Sequence, residues 1–396
     1  MRSGLIVIPM VLLTATATLL GCTSPGNSGQ SRNDDREGVE TPPPSLDPTP
    51  EPSAVPPDVP SGTELPGQAF SLRFVDEANA FALVTECAAD AAGAEAERAD
   101  RCAYRVAVLE DGAGWAVRDS PIPAGDSRDV PHSLEAAGPG VARISAVLDD
   151  GVERHWVTTD GARSWQPAAS TNAAGTVEEI PDGAILTADE DGLEVLMPDS
   201  GEYRRLAGQP ALNNLGWPGI LPDGAFWTSG VDPATGHRAV VVSHDRGRSW
   251  DRLPLPTTAG VTSQTLAAGP DVLYVFESGT ARAGEGTGVL AVHRSTDGGA
   301  TWDPVWTYPP GTTPRTVLGT PIAASDGSLL MYASDAIYRS ENDGQDWTIS
   351  RPGSPPERPE VTPAGYLLTD LTNPGHYRVS TDGFTWRTVI LGSGRG

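Results

Sequence analysis

Short strand-like runs in this 396-residue chain repeatedly end in Asp and Gly, with an indole a few residues further on. The clearest copies are Ser243-His244-Asp245-Arg246-Gly247-Arg248-Ser249-Trp250 and Ser295-Thr296-Asp297-Gly298-Gly299-Ala300-Thr301-Trp302, both of the form S-x-D-x-G-x-[ST]-W. Asp and Gly at this spacing suit a tight hairpin, because the carboxylate accepts backbone N–H bonds within the turn and Gly takes a positive φ. The Trp then opens the next strand and buries a large apolar surface between sheets. A unit of this kind has to stack on copies of itself.

Thr158 to Trp165 is a third copy, with Asp160 in the acidic place and Ala162 where Gly is expected. Ser340 to Trp347 is a fourth, with Asn342, Gly344 and Asp346 in the Asp, Gly and Ser/Thr places. Ser380 to Trp386, with Asp382 and Gly383, is a fifth and one residue shorter. Two weaker copies fall where the period requires them, Asp111 to Trp115 and Asp199 to Tyr203. The seven closing aromatics, Trp115, Trp165, Tyr203, Trp250, Trp302, Trp347 and Trp386, lie 38 to 52 residues apart. A four-stranded propeller blade takes roughly 40 to 50. If the two weaker copies are ordinary Asp-Gly hairpins, the ring has six blades.

The motif resembles the Asp-box (BNR repeat) of sialidase-like β-propellers. The resemblance covers the head, residues 67 to 396, and implies an all-β, seven-bladed propeller of four-stranded antiparallel blades. The head is rich in short β-prone runs bounded by Gly, Pro, Asp and Asn, without a long helical periodicity. A second turn signal precedes most copies, as in Pro181-Asp182-Gly183, Pro222-Asp223-Gly224, Pro270-Asp271, Ser325-Asp326-Gly327 and Pro363-Ala364-Gly365. These read as the first hairpin of each blade. Third strands are expected over 104–109, 155–158, 193–197, 238–243, 289–295, 337–340 and 377–380. Ring closure must bring 70–75 and 386–391 together, either by exchanging a strand or as whole blades.

Residues 1–21 carry Arg2, an apolar run from Leu5 to Leu20, and Leu19-Leu20-Gly21 before Cys22, the order of a secretory signal. The segment resembles a bacterial lipoprotein signal, which implies lipidation of Cys22 and anchoring to the outer face of the cell membrane. Residues 22–66 are Pro-rich and lack aliphatic periodicity, so they are expected to form a tether at about 3 Å per residue where extended. Cys87 and Cys102 flank an Ala-rich loop, and a disulfide between them suits an exported protein.

All 27 basic residues are Arg, set against 52 acidic ones, for a formal charge of −25. Nucleic acid is excluded as a partner on this balance. The six histidines, His132, His155, His237, His244, His293 and His376, show no zinc-ligand spacing, and no metal or cofactor is expected. Asp189-Glu190-Asp191-Gly192 is too short for a calcium loop, and Gly284 to Gly288 leads into a strand instead of a helix.

Sialidases use an Arg cluster for the substrate carboxylate, a Tyr nucleophile assisted by Glu, and an acidic proton donor. Their Arg-Ile-Pro motif is missing here, the nearest match being Ala142-Arg143-Ile144-Ser145. Arg294, Arg339 and Arg378 precede the boxes in third strands, where Arg more often covers a sheet. Arg73, Arg143 and Arg315 are better placed to approach the axis, and Tyr332, Tyr366 and Tyr377 are the candidate nucleophiles. No catalytic set emerges.

The expectation is therefore a monomeric, membrane-anchored, extracytoplasmic propeller acting as a non-catalytic binding or assembly module. A protein or glycan ligand would bind at its axial face, through loops that vary from blade to blade. The alternatives are a sialidase-type exo-glycoside hydrolase and a cell-wall or glycan lectin. The chain is also similar to the non-enzymatic Asp-box propellers that help assemble photosynthetic complexes and to the luminal propellers of sorting receptors.

Overall fold

The computed structural model describes residues 55–87, 102–124, 132–169, 175–221, 223–256, 258–280, 286–309 and 315–392. Cys22 and the segment before it lie outside them, as do most of the Pro-rich stretch and the loop between Cys87 and Cys102. Twenty-eight strands form seven four-stranded sheets.

Blade 1 holds β1 (Gln68–Phe74), β2 (Ala80–Cys87), β3 (Cys102–Leu109) and β4 (Trp115–Asp119). Blade 2 holds β5 (His132–Gly138), β6 (Val141–Val147), β7 (Glu153–Thr158) and β8 (Gln166–Ala168). Blade 3 holds β9 (Thr176–Val177), β10 (Ile185–Asp189), β11 (Gly192–Leu196) and β12 (Tyr203–Leu206). Blade 4 holds β13 (Gly219–Ile220), β14 (Phe226–Val231), β15 (Arg238–Ser243) and β16 (Asp251–Arg252). Blade 5 holds β17 (Val261–Ala268), β18 (Leu273–Gly279), β19 (Gly288–Ser295) and β20 (Asp303–Thr307). Blade 6 holds β21 (Ile322–Ala323), β22 (Leu329–Tyr332), β23 (Ala336–Ser340) and β24 (Thr348–Pro352). Blade 7 holds β25 (Glu357–Thr362), β26 (Gly365–Asp370), β27 (His376–Ser380) and β28 (Arg387–Ile390).

The fold is an all-β, seven-bladed propeller. First strands of neighbouring blades adjoin, β1 with β5 and β17 with β21, which places them at the converging end of the ring. The core is divided by blade. Each of the seven seams holds its own apolar cluster, such as Leu134, Ile144 and Val106 between blades 1 and 2, or Tyr274, Phe276 and Met331 between blades 5 and 6. A blade thus buries both faces only when it has two neighbours.

The turns between third and fourth strands account for the repeat. Ser243 Oγ accepts from Gly247 N–H (2.7 Å) and donates to Asp245 Oδ1 (2.9 Å), while the Asp245 carboxylate takes Ser249 N–H (2.9 Å) and Ser249 Oγ (2.6 Å). Ser295, Asp297, Gly299 and Thr301 repeat this arrangement, as do Thr158, Asp160, Ala162 and Ser164. Two consecutive residues are left-handed, Arg246 (φ 64°) and Gly247 (φ 85°), and Ala162 adopts φ 60° in the Gly place. Successive positive φ values are those of a hairpin turn whose twist matches the strands. In the fourth copy Asn342 Nδ2 donates to Asp346 Oδ2 (2.9 Å), so the side-chain donor and acceptor have exchanged positions and a bond still spans the turn. Asp382 accepts Phe384 N–H (2.9 Å) and Thr385 N–H (2.7 Å) in the shortened fifth copy.

The indoles then tie blade to blade. Trp165 Nε1 donates to Asp119 O (3.1 Å) and Trp250 Nε1 to Gly208 O (2.8 Å), each on the preceding blade. Trp302 and Trp386 instead bond the carbonyls of Gly299 and Gly383 in their own turns. The Asp111 and Asp199 carboxylates accept no hydrogen bond among the described residues, so in those two copies the carboxylate is not committed to its turn.

Ring closure uses whole blades. Blades 1 and 7 each have four strands of their own. Residues 58–62 run beside β28, with Gly62 N–H on Ile390 O (2.8 Å), Gly392 N–H on Gly62 O (2.8 Å) and Arg387 paired with Asp58. Trp115 Nε1 donates to Pro60 O (2.7 Å). The expected tether boundary at residue 66 is corrected by this contact: Val59 and Leu65 are buried in the cluster shared by blades 1 and 7. Two apolar side chains in a Pro-rich run suffice once a seam is present to receive them.

A second correction concerns blade 3. Pro181-Asp182-Gly183 does not close a hairpin, because β9 pairs in parallel with β12 at the far end of the sheet, giving the order β10-β11-β12-β9. The intervening segment is captured by blade 4. Ile180 is buried, exchanges bonds with Arg246 O and Nε (both 2.8 Å), and is flanked by the pairs Arg246–Asp182 and Arg248–Glu179. Elsewhere the early turn signals connect first and second strands as read from the sequence. Cys102 is disulfide-bonded, and its register partner across β2 and β3 is Cys87.

Hydrogen bonds from the Ser164, Ser249 and Thr301 hydroxyls bring Asp160, Asp245 and Asp297 down to about 2 from the ordinary 3.8. A lowered carboxylate pKa stabilises the fold above the unfolded value, and the benefit is lost as pH falls through the folded one. Melting temperature should therefore drop between pH 4 and pH 2. Asp297→Ala should lower it by several degrees at neutral pH and flatten that drop, while Asp199→Ala leaves both nearly unchanged; differential scanning calorimetry over this pH range checks all of these outcomes.

Candidate functional site

The converging end of the ring is lined by the first strands, except in blade 3, whose sheet begins at β10. There Arg73 on β1 bonds Glu360 on β25 at 3.4 Å, bridging blades 1 and 7. Burial pushes Glu360 up, with Arg73 opposing. Behind the pair, the Tyr377 hydroxyl is buried without a hydrogen-bond partner among the described residues, and burial pushes its phenol up.

A polar cluster lies in the seam between blades 2 and 3. Glu135 and Arg143 face each other across β5 and β6, and Glu194 and Arg205 do so across β11 and β12. Tyr203, which opens β12, donates its hydroxyl to Glu135 Oε2 (2.5 Å), and the Arg143 guanidinium stands 4.9 Å from its ring centroid. Arg143 also donates to Ala169 O. A cation over an aromatic face is favourable, the more so when desolvated.

Burial first, then the Glu135 charge, holds the Tyr203 phenol far above the ordinary tyrosine range. The proton stays on the oxygen. Burial, aided by the Asp189 carboxylate, pushes Glu194 up to about 7, and Glu194 is only 4% exposed. Burial and the nearby Arg143 hold the His155 imidazole below its usual value. The seam thus contains a Tyr–Glu pair with one Arg stacked on it, in a setting that suppresses tyrosinate.

A second buried cluster, which sequence reasoning did not single out, spans three strands of blade 5. Gln264 Nε2 donates to Glu277 Oε1 (2.8 Å), and His293 Nε2 meets Glu277 Oε2 (2.9 Å). Burial works to raise Glu277, but bonds from His293, Thr258 and Gln264 outweigh it and hold the carboxyl below its usual value. The three residues lie far apart in sequence, and only the strand register brings them together.

The arginines considered as a substrate clamp do not converge. Arg294 pairs with Asp343, Arg339 with Asp326 and Glu341, and Arg378 with Glu357, which also binds Arg351. Arg315 pairs with Asp335 and bonds the Tyr338 hydroxyl. Tyr366 bonds the carbonyls of Ala268 and Ala323, and Tyr332 is buried and pushed up by that burial. Asp189 Oδ1 accepts the N–H groups of Asp191 (2.8 Å) and Gly192 (2.9 Å), as a strand turn requires. Among the described residues no three His, Cys, Asp or Glu side chains are grouped to hold a metal ion.

No protein-family model matches the chain, and no curated protein matches it in sequence. Similar solved structures include YCF48 from Cyanidioschyzon merolae, with 11% identity over 82% of this chain and 96% of that one at a TM-score of 0.42. The β-propeller domain of the trilobed protease from Pyrococcus furiosus is similar at 10% identity, 81% and 97% coverage and a TM-score of 0.43. A gluconolactonase from Xanthomonas campestris is similar at 15% identity, 68% and 99% coverage and a TM-score of 0.32. The likeness concerns the fold alone.

Glu194 provides a test of the seam. Its folded-state value of about 7 exceeds the ordinary 4.5, so the native state holds the proton more tightly and stability falls as pH rises between them. Glu194→Gln should remove this slope and raise the melting temperature at pH 8 by about 2 °C or more. Thermal unfolding of both proteins from pH 4.5 to 8 checks this, and parallel curves would contradict it.

Proposed function

We propose that the protein is a membrane-anchored, extracytoplasmic Asp-box propeller of the sialidase-like superfamily that serves as a non-catalytic binding or assembly module. The observation that carries the reading is the commitment of its candidate arginines. Arg73, Arg294, Arg315, Arg339 and Arg378 each pair with a carboxylate of this chain, and Arg143 is stacked on Tyr203 inside a seam. A carboxylate substrate would have to displace these partners. The apolar run before Cys22 and the Pro-rich stretch after it support a lipid anchor and a spacer, and the charge of −25 supports a soluble head that repels nucleic acid.

One observation favours a sialidase-type hydrolase as the second reading, namely the Tyr203 hydroxyl on Glu135 beside Arg143. Its phenol is held protonated, which favours the first reading. Two measurements decide. Expressed in a bacterial host, the protein should appear in the membrane fraction, and Cys22→Ser should release it to the soluble fraction; an unchanged distribution would remove the anchor. The purified protein should leave a fluorogenic sialoside intact, whereas turnover abolished by Tyr203→Phe would establish the hydrolase.

A further inference from the structure

Blade 3 ends at β10 where the other sheets end at a first strand, because β9 lies on the far side of β12. The bonding phase of β10 follows from its neighbour. Leu193 donates its N–H to Gln209 Oε1 (2.8 Å) and accepts from Gln209 Nε2 (2.9 Å), on the side of β11 facing β12. Met197 N–H meets Glu202 O (2.9 Å) on that same side. In an antiparallel ladder, residues directly opposite exchange both bonds or neither, and the two kinds alternate. Leu193 and Val195 therefore turn their backbone groups away from β10, while Glu194 and Leu196 turn theirs toward it.

Their register partners are Ala188, Leu186, Thr187 and Ile185 respectively. Leu186 and Ala188 consequently present N–H and C=O outward from the sheet, and no backbone group among the described residues meets them. Such an edge is a template on which a further strand can pair.

Two further features indicate the partner. Asp189, Glu190 and Asp191 stand at one end of β10 and form no ion pair among the described residues, and with Glu194 beside them four carboxyl groups share Arg205, opposite Glu194, as a nearby cation. Trp217 is 81% exposed on the stretch of blade 4 leading into β13, and Leu215, two residues before it, packs against the same apolar cluster as Ala188. The backbone around it is pinned. Gly216 N–H bonds Ser229 O (2.6 Å), and a Cβ at Gly219 would come within 2.4 Å of Trp227 Nε1. A large indole held in solvent on a fixed backbone is the kind of residue on which binding energy concentrates.

We infer that β10 is a docking edge for an extended, basic segment of a partner protein. The segment adds to blade 3 as a strand on Leu186 and Ala188, sets its cations against Asp189 to Asp191, and packs an apolar side chain on Trp217. Main-chain bonds supply affinity in this mode, and alternate side chains supply specificity. The inference rests on the binding-module reading and names the partner class for it.

The test uses the full chain in detergent with a fluorescent, seven-residue peptide of alternating Lys and Val, followed by anisotropy. Saturable binding is expected, with no binding of the matching Glu-Val peptide. Ala188→Pro removes one outward N–H without touching the β10–β11 bonds and should weaken binding about tenfold or more; Trp217→Ala should weaken it several-fold. If Ala188→Pro fails to fold, the Lys-Val peptide N-methylated at alternate residues decides on the unaltered protein, since it keeps charge and side chains but cannot complete the ladder. No binding of the Lys-Val peptide, equal binding of the N-methylated peptide, or equal binding of the Glu-Val peptide overturns strand addition. None of these outcomes alters the fractionation of Cys22→Ser or the sialoside result, so the binding-module reading is judged separately.

Discussion

A hydroxyl that works in two directions holds the ring together. Ser243, Ser295 and their counterparts accept the N–H of a left-handed residue and donate to an Asp two residues on, so that one small side chain closes the turn and orients its carboxylate. The carboxylate then captures the hydroxyl and N–H of the residue before the indole. With the turn locked, the Trp leaves it in one direction only, into the seam. Each sheet has two apolar faces, so neither is stable without neighbours, and the turn that aims the aromatic also selects how the blades meet.

The fourth copy shows what the constraint consists of. Asp346 still donates its N–H to the side chain at 342, while the side-chain bond between the two positions runs in the reverse direction, from the Asn342 amide to the Asp346 carboxylate. Donor must meet acceptor across the turn, and charge at a given position is secondary. Where the carboxylate makes no bond, at Asp111 and Asp199, the turn relies on backbone geometry, and blade 3 is also where the sheet departs from the common order. There the segment around Ile180 is held on blade 4 by a buried aliphatic side chain, two bonds with Arg246 and two ion pairs.

Much of this was legible beforehand, and the reason is local. The third strands lie within one or two residues of the runs read before each Asp, since strand, turn and indole form one contiguous pattern. Four of the five early turn signals also connect first to second strands. The fifth did not, because Pro181-Asp182-Gly183 has the same composition as its counterparts and differs only in what Ile180 meets. The candidate site was far less legible. Tyr203 was read as a closing aromatic, and its hydroxyl contact with Glu135 depends on two blades being apposed. Gln264, Glu277 and His293 carry no spacing signal, because strand register alone aligns them.

The sequence by itself determined the all-β repeat, the position of each closing turn and the chemistry inside the five stronger copies, since these arise from residues within about eight positions of one another, while the structure decided for seven blades over six. Tertiary structure alone decided that Val59 and Leu65 close the ring, that β9 lies beside β12 and not β10, and that Glu194 is buried near Asp189 as well as Arg205. The reason is the same in each case. Burial, ion pairing and free strand edges are set by what the neighbouring blade presents, and a linear pattern carries no record of that apposition.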